Sequence, residues 1–292
     1  MRKIHILPNL VTLANAFCGL LAIYKAIDAL VYAGGDPLAF YSKLETACWL
    51  IFLGMFFDAI DGKVARMVGG ASSFGAQLDS FADMLTFGVT PAVLAKVLIE
   101  HEGPLYDYSV NPRLHFIAAA VFTVMAILRL ARFNLETEPD ESAHMMFKGL
   151  PSPAAAGALA STLLLYLSLR NPQLEHSDGT VTPLGAILHL IPEADRSAYL
   201  VWFLPVLALM LPTLGLLMVS RVRYLHMFSA ITGRGQFVTL VGVVVAGFCL
   251  FVAPVLSVFA VFNGYALIGL GRALIRSKQA APVDAPERVS TP

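Results

Sequence analysis

Apolar runs about as long as a bilayer is thick constrain this chain more than any other feature. A helix that crosses the hydrocarbon core needs roughly 20 mostly apolar residues. Runs of that kind fall at about 9–32, 42–66, 77–99, 114–134, 152–169, 198–220, 236–253 and 255–275. Only the turn around Pro254 divides the last two, so the expectation is eight spans, or seven if that division is not real. With 57% hydrophobic and 14% charged residues and a mean hydropathy of +0.71, the chain reads as an all-α, polytopic integral membrane bundle. Residues 1–276 then form one transmembrane domain, 170–197 a polar insertion within it, and 277–292 a disordered cytoplasmic tail. The basic N-terminus precedes an apolar stretch that is too long for a signal peptide and is interrupted by Asn9, Thr12 and Asn15, so it reads as a retained first span.

Lysine and arginine set the orientation. With the N-terminus inside, Arg2, Lys3, Lys63, Arg66, Arg132, Lys148, Arg221, Arg223, Arg234, Arg272, Arg276 and Lys278 collect on one side. Lys43, Arg113, Arg170 and Arg196 fall on the other. The positive-inside rule places both termini in the cytoplasm of a cell whose inner membrane the protein spans several times. A formal net charge of zero gives no field for nucleic acid. Cys18, Cys48 and Cys249 show neither disulfide nor zinc spacing and read as small packing residues. The seven histidines show no ligand spacing, and Gly242 with Gly247 suggests close helix packing.

Against this background the stretch FFDAIDGKVARMVGGASSFGAQLDSFADM, from Phe56 to Met84, is unusual in carrying Asp58, Asp61, Asp79 and Asp83. The first two are spaced i, i+3 and the second two i, i+4, so each pair shares a helix face. The Gly- and Ser-rich segment between them permits a helix reversal, and the four carboxylates then converge at the cytoplasmic end of two spans. Unpaired carboxylates at membrane depth are costly, which calls for positive charge. An all-oxygen set suits Mg2+ or Mn2+, and two such ions would neutralise a diphosphate. Gly62 and Ala65 leave helix surface bare for a nucleotide, Gly75 lies one turn before Asp79, and Arg66 offers a fixed cation to phosphate. Each acid alone is better explained as a solvated, salt-bridged residue at a helix end; the constellation is not.

The pattern Asp58-x2-Asp61-Gly62-x2-Ala65-Arg66-x8-Gly75-x3-Asp79-x3-Asp83 resembles, at every position, the signature of the CDP-alcohol phosphatidyltransferases. The resemblance implies a membrane enzyme, usually a homodimer, that displaces CMP from a CDP-linked lipid by an alcohol. It also implies metal ligation by Asp58, Asp61, Asp79 and Asp83, with Asp83 the base, and a CDP site lined by Gly62, Ala65 and Arg66. PNLVTLANAFCGLLA (8–22), RLARFN (129–134) and KGLPSPAAAG (148–157) resemble the branch that uses serine, and VSRVRYLHM (219–227) adds to this. CDP-diacylglycerol and L-serine are then the expected substrates, phosphatidylserine and CMP the products, and membrane lipids the surroundings.

Read from the residues, Arg129 and Arg132 either meet the serine carboxylate or snorkel to headgroups and pair with Glu136 or Glu138. Asn9 and Thr12 either bind the nucleotide diphosphate, as the resemblance suggests, or tie helices together. Pro151 and Pro153 end a loop and open the fifth span. The rival acceptors are glycerol 3-phosphate and inositol 1-phosphate, which want a denser basic pocket. A divalent-cation transporter is the rival from another class, but its acids would line a route through the bilayer rather than cluster at one end.

Overall fold

The computed structural model describes residues 6–67, 73–108, 110–136, 146–170, 192–225 and 236–279. Nine helices follow in chain order among them: α1 (Ile6–Tyr32), α2 (Pro37–Met67), α3 (Ser73–Asp83), α4 (Thr90–Glu102), α5 (Pro112–Glu136), α6 (Ser152–Arg170), α7 (Glu193–Val219), α8 (Gln236–Val252) and α9 (Pro254–Gln279). A π-helical turn, Met84–Val89, fuses α3 to α4, and a 3-10 turn, Gly103–Tyr106, ends α4. Strands β1 (Met146–Lys148) and β2 (Arg223–Leu225) pair antiparallel, with Phe147 opposite Tyr224. This short ladder clips the start of α6 to the end of α7, and the described residues are otherwise helices and the short turns that join them.

Every expected span is a helix. Among the described residues, six stretches are long and apolar enough to cross a bilayer: Ile6–Tyr32, Ser73–Tyr106, Pro112–Leu135, Ser152–Arg170, Tyr199–Val219 and Pro254–Arg272. The two remaining expected spans correspond to α2, which at 31 residues carries the first two acids, and to α8, whose apolar part Thr239–Val252 is short. This is a multi-pass membrane protein. The third span is longer than its apolar pattern indicates, because the π turn lets one helical rod run from Ser73 to Tyr106.

The α1–α2 hairpin closes over residues 33–36, where the amides of Gly35 and Asp36 bond back to Tyr32. Ala22, Ala26 and Ala29 present a stripe of small side chains, and Phe40, Leu44, Ala47 and Ile51 of α2 join them in the same buried cluster. Small residues allow two helix backbones in lipid to approach closely, which substitutes for the hydrophobic drive that lipid removes. Helix α6 is buried from Ser152 to Leu164 with scarcely a break, as expected for the central helix of a bundle. It starts at Ser152, so the LPSP stretch opens the span as its prolines predict. Just before it, Gly149 has φ +86°, and a Cβ there would lie 2.1 Å from the Met218 carbonyl oxygen, so only glycine fits.

At the end of the bundle remote from the acids, the fully buried Glu102 carboxylate accepts hydrogen bonds from Tyr41 (2.7 Å), Tyr166 (2.5 Å) and Arg170 Nε (3.1 Å), with His101 Nδ1 at 2.9 Å. One charge thereby joins α2, α4 and α6, and its ring of partners is what makes the burial tolerable.

Two packing expectations fail. Cys249 is exposed, unlike the buried Cys18 and Cys48. Gly242 and Gly247 have nothing within 4 Å of where a Cβ would stand, so among the described residues they mark no close helix contact. Close approach instead falls at Gly19, Gly54, Gly157 and Gly269. Of the insertion, residues 171–191 lie outside the described residues, as do 280–292 of the tail, while α9 runs through Gln279.

Candidate active site

The last turns of α2 carry Asp58 and Asp61, and α3 carries Asp79 and Asp83. Residues 68–72 between the two helices are outside the described set. Carboxylate oxygens of Asp58, Asp61 and Asp79 all lie within 4.8 Å of one another. Asp83 stands outside that trio, but its side chain meets Asp58, as Asp61 meets Asp79. The expected convergence of four acids is therefore present, arranged as a trio with Asp83 beside it.

Three carboxylates at this spacing repel one another unless a cation or protons intervene. Asp61 is only 6% exposed, so water screens it little. Oδ1 of Asp79 is buried with no hydrogen-bond partner, and an orphaned carboxylate oxygen carries its full desolvation penalty. An ion resolves both problems. Oxygens bound to one Mg2+ stand about 3.0–4.2 Å apart, given octahedral bonds of about 2.1 Å, so a small inward movement of a trio lying within 4.8 Å would suffice to hold one. The donor set, all hard oxygens, fits a hard divalent cation.

Helix α1 supplies the polar partners. Thr12 Oγ1 lies 3.0 Å from Asp61 Oδ2 and 3.2 Å from the Pro8 carbonyl. One turn on, Asn15 Nδ2 donates to Asp83 Oδ1 at 3.2 Å. The approach that makes this possible is set by the rod α3–α4. Thr86 and Thr90 donate to the carbonyls of Asn15 (3.0 Å) and Gly19 (3.2 Å). Gly19 and Gly54 leave room for Thr86, since a Cβ at either would come within 2.6 Å of its side chain.

The remaining sequence-derived residues divide. Gly62 is exposed with open space around it, as a ligand-facing glycine requires, but Ala65 is buried rather than bare. Arg66 is exposed, and its Nε donates to the Gly62 carbonyl (3.1 Å) within its own helix. Gly75 is half-buried on the first turn of α3, and Asn9 is buried on the first turn of α1. Arg129 of α5 donates to the buried Ser152 hydroxyl (2.9 Å) and lies within electrostatic reach of Asp83, while its Nε is buried without a partner. Arg132, one turn further, is half-buried. Of the acids weighed as their partners, Glu138 falls outside the described residues. Ser80 and Asn134 exchange hydrogen bonds that hold α3 to α5 (2.9 Å).

Sequence reasoning passed over Asn15, Gly19, Gly54, Thr86 and Ser152. A signal existed for the first: Asn9, Thr12 and Asn15 recur every three residues in an otherwise apolar span.

A membrane-embedded helical bundle with a cluster of carboxylates that could hold a metal ion at one end defines the class of protein. The particular family follows from comparison with known proteins. The sequence model of the CDP-alcohol phosphatidyltransferases matches residues 5–192, well over half the chain, and the protein belongs to that family. Its relatives include proteins that carry the name CDP-diacylglycerol--serine O-phosphatidyltransferase. Those of Helicobacter pylori strains 26695 and J99 are 30% and 28% identical, over 56% and 79% of this chain and 60% and 89% of their own length. That of Bacillus subtilis is 34% identical over 55% of this chain and 76% of its own length. The chain thus covers less than two thirds of the first of these relatives and more of the other two. The family read from the acidic motif is borne out.

Proposed function

We propose that the protein transfers the phosphatidyl group of CDP-diacylglycerol to the hydroxyl of L-serine, releasing CMP. The observation that carries the reading is the trio Asp58, Asp61 and Asp79, with its buried, unpartnered Asp79 oxygen, in a chain of this family. The names of its relatives support serine as the acceptor.

Asp58, Asp61 and Asp79 would hold Mg2+ or Mn2+, and Asp83 could join a second ion. Bound there, the metal supplies positive charge that offsets the diphosphate and the departing CMP. The open surface at Gly62 admits the nucleotide, and the Arg66 guanidinium exchanges its own-helix carbonyl for phosphate oxygens. Asn9, Ala65 and Gly75 lie on the turns that border this path. Asp83 takes the proton of the serine hydroxyl. The hydroxyl oxygen bonds to the lipid-bearing phosphorus as the bond from that phosphorus to the CMP oxygen breaks. Arg129, fixed by Ser152, and Arg132 face the serine carboxylate. The site opens to the cytoplasm at the inner membrane, the lipid's chains stay in the bilayer, and the protein works as a homodimer.

Purified protein given CDP-diacylglycerol, Mn2+ and serine, glycerol 3-phosphate or inositol 1-phosphate in turn tests this. CMP release with serine alone is the expected result. Release with a phosphorylated alcohol instead would overturn the acceptor assignment, and metal uptake into vesicles without any CMP release would favour transport.

A further inference from the structure

Asn15 is a buried polar residue to which the reaction above gives no task. It is completely buried in α1, and three of its atoms are accounted for in an uneven way. Nδ2 donates to Asp83 Oδ1 at 3.2 Å. The backbone carbonyl accepts from Thr86 Oγ1 at 3.0 Å. The side-chain Oδ1 is buried with no partner.

A buried amide kept only to bind helices together would satisfy both of its ends, because an orphaned acceptor is unfavourable and a leucine of similar size would pack without one. Bundle stability therefore does not account for an asparagine at this position. The orientation of the amide is fixed as well. Turning it over would set Oδ1 against the Asp83 carboxylate, acceptor to acceptor, and Gly54 packs so closely that even a Cβ there would lie 3.0 Å from Asn15 Oδ1. The donor is thus aimed at Asp83 and held there. The same residue grips the chain three positions further on, through Thr86 in the π turn that begins directly after Asp83. Asn15 consequently holds both the side chain of Asp83 and the backbone segment that follows it. Wide π turns recur at functional sites because they re-aim neighbouring side chains.

We infer that Asn15 is a positioning residue for Asp83: it occupies one carboxylate oxygen and so determines which oxygen is presented to the acceptor hydroxyl. This rests on the role given to Asp83 above. Asn15 touches neither substrate, and its effect passes through the aspartate.

The test is Asn15→Leu in purified protein, read in two ways. A hydrogen bond to a charged group lost from the reacting geometry lowers kcat about 10- to 100-fold, while KM for CDP-diacylglycerol stays within about twofold, a split that loosened packing alone would not produce. Independently of turnover, the shift in thermal midpoint caused by Asn15→Leu should differ between the wild-type and Asp83→Leu backgrounds, because the two side chains are coupled. Wild-type kcat in Asn15→Leu, a loss confined to KM for the lipid, or an additive cycle would each overturn the inference. A wild-type protein that transfers to no alcohol counts against the proposed function, whereas an active wild type with an unimpaired Asn15→Leu counts against Asn15 alone.

Discussion

The substitution Gly19→Ala adds one methyl group where the structure has no room for it. The new Cβ would lie 2.5 Å from Thr86 Oγ1 and 2.9 Å from Thr86 Cα. The hydroxyl can rotate away, but the Cα belongs to the rod that carries Asp79 and Asp83, so relief requires the helices to part. Reaching an ordinary contact of 3.4 Å means a shift of about 0.5–0.9 Å. Such a shift stretches the Thr86–Asn15 hydrogen bond from 3.0 Å beyond its useful range and loosens the Asn15–Asp83 contact. Overpacking of this kind costs about 1–3 kcal/mol. A displacement approaching 1 Å at reacting groups is worth on the order of 100-fold in rate, so a drop of about 10- to 100-fold is expected. The assay is serine-dependent CMP release, paired with thermal unfolding in detergent. Gly242→Ala, where nothing lies within 4 Å, is the matched control and should behave as wild type. Gly19→Ala with unaltered melting and turnover, or Gly242→Ala equally impaired, would refute the claim that the α1 contact sets the geometry of the acids.

Asp79→Asn should abolish turnover, measured as CMP release, in protein that still inserts and elutes as the wild type does. Ser152→Ala frees the Arg129 guanidinium from its 2.9 Å tether, and should raise KM for serine severalfold while KM for the CDP lipid holds; equal rises in both would remove Arg129 from the acceptor side. Arg132→Ala should likewise weigh on serine more than on lipid. Arg170→Ala leaves the buried Glu102 carboxylate to Tyr41, Tyr166 and His101, and should lower unfolding stability by about 1–3 kcal/mol, read from thermal or denaturant unfolding, without altering KM for either substrate.

The fold class and the acids were legible because both follow from local pattern. Apolar runs of bilayer length leave helices as the expectation, and spacings of three and four place each aspartate pair on one face. The reach of the third span was not legible, since the π turn after Asp83 has no sequence period of its own. Nor were the contacts that aim the acids. Gly19 and Gly54 matter because of where Thr86 of a distant segment arrives, and a single glycine in an apolar run does not announce its neighbour. Gly242 and Gly247 show the converse, a suggestive spacing with nothing packed against it. Thr12 was legible as a polar site residue with two open roles; its hydroxyl meets Asp61. Asn15 belonged to the same stripe, yet its role depends on Asp83 being carried to it by another helix.

Titration of the purified protein with Mn2+, followed by the electron paramagnetic resonance signal of the free ion, tests the central claim most directly. Saturable binding by the wild type that is lost or severely weakened in folded Asp79→Asn is the outcome this arrangement of carboxylates requires. Equal binding by the two proteins, or none by a folded wild type, would contradict it.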